Sequence, residues 1–85
     1  MSDSAVQHAL NVKRRHEAEL LRKANVVAVG VGFRTRGGQP TTEVCIVVSV
    51  RVKQPPSKLK RSDLLPAVIE GVPVDVVETG AIRAL

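Results

Sequence analysis

Eighty-five residues with a single cysteine, Cys45, and a single aromatic, Phe33, leave room for one small aliphatic domain and exclude an intramolecular disulfide. No apolar run approaches the roughly 20 residues of a membrane-spanning helix, and the N-terminus lacks a signal-peptide core, which predicts a reducing, cytoplasmic setting with no membrane partner. The net charge of +5 is uneven: through Arg61 there are twelve Lys and Arg against four acids, and from Ser62 onward one against four. Such a split suits either an acidic partner or the pairing of one copy with the next.

The first predicted element is a helix over residues 4–24. Ser4 has capping-box spacing to Gln7, no Gly or Pro interrupts the stretch, and Glu19 to Lys23 is a favourable i,i+4 pair. Val6, Ala9, Leu10, Leu20, Leu21 and Ala24 give it an apolar stripe broken by a polar middle, Lys13 to Glu19. That break predicts that the C-terminal half packs best and that the first turns project.

A strand over 25–33 follows, Asn-Val-Val-Ala-Val-Gly-Val-Gly-Phe. Strict alternation places Val27, Val29, Val31 and Phe33 on one side and Val26, Ala28, Gly30 and Gly32 on the other. Two glycines on one face predict a close approach there, and the helix is the expected visitor. Arg34 to Pro40, with two glycines and a proline, reads as a mobile hairpin loop. The next strand, 42–52, alternates Thr42, Val44, Ile46, Val48, Val50 and Val52 against Glu43, Cys45, Val47, Ser49 and Arg51.

A polar crossover from Gln54 to Pro66 comes next, where Ser57 or Ser62 is placed to cap a short helical turn. The chain closes with strands 67–70 and 72–78 around a turn at Glu70-Gly71. Pro73, unable to donate to a ladder, is expected at an edge or a bulge. The predicted fold is α+β: an N-terminal helix packed on a mostly antiparallel four-stranded sheet, with a short helical turn in the crossover, all within one domain, 1–85.

Several catalytic and nucleotide motifs begin and fail. Gly30-Val-Gly32 lacks a third glycine, since position 35 is Thr35, and no helix follows. Gly32 to Gly37 has P-loop spacing, but Gly38 and Gln39 stand where Lys and Ser or Thr would meet phosphate and magnesium. His16-Glu17 starts a zinc-protease motif whose second histidine would fall at Leu20. His8 and His16 therefore read as surface helix residues, and neither a metal nor a cofactor is expected. Cys45 sits mid-strand among valines without a base beside it, so no catalytic residue is assigned and the chain is read as a non-enzyme. The cations Lys13, Arg14, Arg15, Arg22, Lys23, Lys58, Lys60 and Arg61 form the candidate surface for an acidic partner. With Phe33 the only ring available for stacking, nucleic-acid binding is the second reading.

Three segments carry a resemblance: Glu19-Leu-Leu-Arg-Lys-Ala-Asn25 leading into Val26 to Phe33, Gly37 to Val48, and Ile69 to Gly80. Their order resembles the region that precedes the catalytic body in a group of bacterial trypsin-like serine peptidases, to which plant narrow-leaf proteins are similar as distant members. In such proteins the catalytic His, Asp and Ser lie in the following body, and this sequence stops at Leu85, so none is carried over. The resemblance implies a non-catalytic interaction, regulatory or assembly module, with a peptidase body or a second copy as partner. Long valine strands guarded only by Pro73, Glu43 and Arg51 also predict a homo-oligomer.

Overall fold

The computed structural model describes residues 2–53, 56–60 and 63–79. A helix α1 (Ser2–Leu21) is followed by β1 (Val26–Arg36), β2 (Gln39–Val50), a 3₁₀ turn (Pro56–Lys58), β3 (Val68–Ile69) and β4 (Val72–Glu78). The four strands form one sheet in the order β1-β2-β4-β3. β1 with β2 and β3 with β4 are antiparallel, whereas the central β2–β4 pair is parallel. The α+β class and the helix-on-sheet arrangement are those read from the sequence. The parallel pair makes the sheet mixed, because the 50s and 60s form a crossover that returns the chain to the same end.

Period two in β2 decides which side is the core. Ile46, Val48 and Val50 point to the helix and are buried, as are Ala9, Val12 and Leu20 of α1 and Ile69 and Val72 of the last hairpin. Val29 and Val31 on β1 and Val74 and Val76 on β4 stand beside them in register and complete this layer. Both halves of α1 therefore anchor it. The expectation that the C-terminal half packs best fails because Ala9 and Val12, a turn apart in the N-terminal half, are fully buried, while Ser4, Ala5, Gln7 and His8 of the first turns are exposed.

The predicted visit of the helix to the glycine face is also overturned. Gly30 and Gly32 pair with Val47 and Cys45, on the side of the sheet away from α1. A Cβ at Gly30 would meet nothing within 4 Å, while one at Gly32 would come 3.2 Å from Cγ2 of Val47. Gly32 is thus small for its strand neighbour, not for the helix. A register shift between Val26 and Ala28 explains the misassigned side of Val26: the bulge places Val26 opposite Val50, on the core side.

The turns carry the specific backbone chemistry. Helix α1 ends at Leu21, earlier than residue 24, so Lys23 lies in the following turn rather than on the helix. Asn25 then takes a left-handed φ of 77°, a conformation that asparagine tolerates better than most residues. Its side chain binds both the amide and the carbonyl of Val52, and its own carbonyl accepts from Arg51. Ala24 donates to the Asp63 carboxylate at 3.0 Å, tying this corner to the crossover. Gly37 and Gly38 both have positive φ, 56° and 79°, the signature of a tight two-residue hairpin turn, so the strands run to Arg36 and from Gln39 with no long loop between. Glu70 and Gly71, with φ of 49° and 82°, form the second such turn, where the sequence placed it.

Ser4 lies inside α1 instead of capping it, and Ser57 lies within the 3₁₀ turn. Ser62 falls outside the described residues. Pro73 is not on an edge strand, because β4 lies between β2 and β3. It is tolerated just ahead of the first parallel pair, Ile46 with Val74.

Two glycine substitutions should separate. Gly32→Val presses on Val47 and should lower stability by about 1–3 kcal/mol, the usual range for overpacking. Gly30→Val enters open space and should change stability by less than about 1 kcal/mol, strand propensity being in its favour. Thermal melts of the two variants side by side check this; equal losses would contradict the assigned faces.

Candidate functional site

Two of the candidate cations already have carboxylate partners. Lys13 bridges to Glu17 at 2.9 Å, one helical turn on, and Arg15 turns away to the last hairpin. Arg22 and Lys23 share a shallow surface hollow with Glu19 and Asp63. Arg14, Lys58 and Lys60 are exposed, as is Arg22, and Arg61 lies outside the described residues. Arg34 and Arg36, also basic in the sequence, both approach Glu43, at 3.9 and 3.4 Å. Much of the positive charge is thus already matched within the molecule, though exposed ion pairs of this kind contribute little stability each.

A second cluster gathers around Glu70. Its left-handed backbone aims the carboxylate at α1, where Arg15 donates through Nε at 3.2 Å and Nη2 at 2.6 Å. His16 places Nε2 2.7 Å from the same carboxylate, and His8 donates to the Glu70 carbonyl at 3.0 Å. The forked arginine contact and the imidazole hold the Glu70 carboxyl down to about 2, the arginine hydrogen bond being the largest cause. The same contact raises the Arg15 pKa. The two histidines are hydrogen-bonded fasteners between the helix and the hairpin. Among the described residues no group of three or more His, Cys, Asp and Glu could hold a metal ion. No local sequence signal pairs residue 15 with residue 70; only the i, i+7, i+8 placement of His8, Arg15 and His16 on one helix face hinted that they could share a partner.

The third feature is the side of the sheet away from α1. The Thr35 amide donates to the Asp75 carboxylate at 3.2 Å, although β2 lies between their strands. A second register shift, between Phe33 and Thr35, lets the hairpin end curl across this face to make that contact. Cys45 is fully buried beneath it. Burial pushes its thiol pKa up, the Asp75 and Glu43 charges push the same way, and Arg34 opposes them. A thiol so placed is a poor nucleophile. Beyond the hook, Ala28, Gly30, Val47, Ser49 and Val77 form a surface of small and aliphatic side chains, with Ala28 and Val77 exposed.

These elements define a small α+β module: a helix-covered mixed sheet with one face closed by the helix and the other only partly closed by its own hairpin. The chain belongs to the NARROW LEAF 1 N-terminal domain family, whose model matches residues 5–79. That family describes an N-terminal module of a larger protein. No curated protein matches the chain. None of the helices in the described residues is long and apolar enough to cross a membrane.

The Glu70 cluster makes stability depend on acid in a defined way. Because the folded carboxyl lies at about 2, below its ordinary 4.5, its contribution is complete above pH 4.5 and disappears as pH falls through 2. Glu70→Gln should therefore melt below the parent at pH 6, and the two curves should converge near pH 2. A gap that stayed constant from pH 6 to 2 would show that the carboxylate is not the fastener.

Proposed function

We propose that the chain is a non-catalytic interaction module that leads a trypsin-like peptidase body and acts by contact. The observation that carries this reading is the partly uncovered, aliphatic sheet face of Ala28, Gly30, Val47 and Val77 in a member of a family of N-terminal domains. Apolar area removed from water is worth roughly 25 cal/mol per Å², so a face of this kind suits a lasting contact better than a transient charged one. The chain's own chemistry points the same way. Its cysteine is buried and its histidines are engaged with Glu70, so the module is read as supplying a surface and the body as supplying the reaction.

The second reading, a small basic nucleic-acid-binding protein, is favoured by one observation. Arg14, Arg22, Lys58 and Lys60 are exposed with no carboxylate ion-pair partner among the described residues. Phosphate binding through such cations weakens steeply as salt rises, whereas apolar docking does not.

Calorimetric titration of the chain into the catalytic body of a trypsin-like peptidase that carries a domain of this family should give saturable binding. Ala28→Lys and Val77→Lys should each weaken it by about tenfold or more, as expected when a charge is placed in an apolar contact. Absence of binding would overturn the leading reading. Anisotropy of a labelled single-stranded oligonucleotide at low and high salt tests the second: salt-sensitive binding, lost on replacing Arg14, Arg22, Lys58 and Lys60 with Gln, would put it first.

A further inference from the structure

The two ends of the sheet are unequal. β3 has only two residues, whereas β1 has eleven and, among the described residues, no strand on its outer side. The backbone groups along that edge are a template for another strand. Its upper limit is the second register shift, between Phe33 and Thr35, beyond which the hairpin end turns inward to Asp75. Its lower limit is the Asn25 corner, where the Val26 amide reaches back to the Lys23 carbonyl. Between them, Val26 to Phe33 contains no charge and no proline. Sheet edges in monomers are guarded by inward charges, lysines, prolines, bulges or a covering element, and here the two register shifts fall at the ends of the stretch and leave Ala28 to Phe33 regular. Here the first arginine, Arg34, comes only at the second register shift.

We infer that this edge pairs with the β1 edge of a second copy, antiparallel about a two-fold axis at Gly30. The choice of centre follows from the side chains. Antiparallel pairing about residue 30 sets Val31 opposite Val29, Gly32 opposite Ala28 and Phe33 opposite Val27. Phe33 and Val27 are two of the most exposed large apolar residues, at 53% and 45%, and nothing else in the described structure covers them. The pairing sets them against each other twice, once at each end, with Val27 at the first register shift, and an aromatic against a β-branched residue is a favourable cross-strand pair. Gly30, Gly32 and Ala28 keep the opposite side free of bulk at the axis. Self-pairing suits the edge because both partners bring the same uncharged stretch and each supplies the residue the other lacks. The dimer joins two sheets into one of eight strands, with the aliphatic face proposed above continuous across the axis.

The inference goes beyond the proposed docking of a peptidase body and fails separately from it: a chain that stays monomeric yet binds a body defeats only this step. Sedimentation of the full chain over a concentration series should show a monomer–dimer equilibrium. Phe33→Glu and Val27→Lys, both at exposed positions, should each raise the dimer dissociation constant by roughly tenfold or more, and the double variant should recover most of the loss because each copy then sets Glu opposite the other's Lys. A thiol at Gly30, where an added Cβ meets nothing, gives an independent readout. Two such residues facing across an antiparallel pair lie within disulfide range, about 4.5–5.5 Å between Cα atoms. Gly30→Cys should yield a covalent dimer under mild oxidation, Cys45 being buried. A monomer at all concentrations, or a dimer indifferent to these changes, would overturn the inference.

Discussion

The rest of the structure depends on the parity of β2. Once Ile46, Val48 and Val50 face α1, every neighbour is sorted by register: Val29 and Val31 on one side, Val74 and Val76 on the other. A slip by one residue would send all of them to the far face and bring Cys45, Val47 and Ser49 against the helix. β2 is also the strand that is antiparallel to one neighbour and parallel to the other, so it holds together a local hairpin and a long crossover. The core is thin and almost wholly aliphatic, and it has little redundancy with which to absorb such an error.

The polar contacts serve mainly to fix the pieces that register alone does not. Asn25 closes the corner between α1 and β1 with a left-handed backbone and two hydrogen bonds to Val52. Glu70, also left-handed, reaches Arg15 and His16 and pins the last hairpin to the helix. Asp75 draws the hairpin end over Cys45. Each is an exposed or half-buried contact of small individual strength, and each joins segments far apart in sequence. Together they orient a layer that apolar packing, being non-directional, would leave free to slide.

The proposed function rests on what this packing leaves over. The helix closes one side of the sheet and the hook closes part of the other. What remains among the described residues is an aliphatic patch and an uncharged edge, the two surfaces on which the proposed contacts rest. The basic residues that dominate the sequence are a weaker guide, since Lys13, Arg15, Arg34 and Arg36 are matched by carboxylates of the same chain.

By itself the sequence determined the α+β class, the strand pattern, the Glu70-Gly71 turn and the inward set of β2, because period-two alternation and turn residues are local signals. It also carried the likeness to narrow-leaf proteins, through the order of its glycine- and valine-rich segments. The side on which the helix sits was not legible, since Gly30 and Gly32 look alike with or without a visitor and the bulge at Val26 leaves no mark in composition. Nor were the parallel β2–β4 pair, the Arg15–Glu70 contact or the hook onto Asp75. These were decided by the tertiary structure alone, because each brings together residues from 28 to 55 positions apart whose attraction exists only once the core has fixed the distance between them.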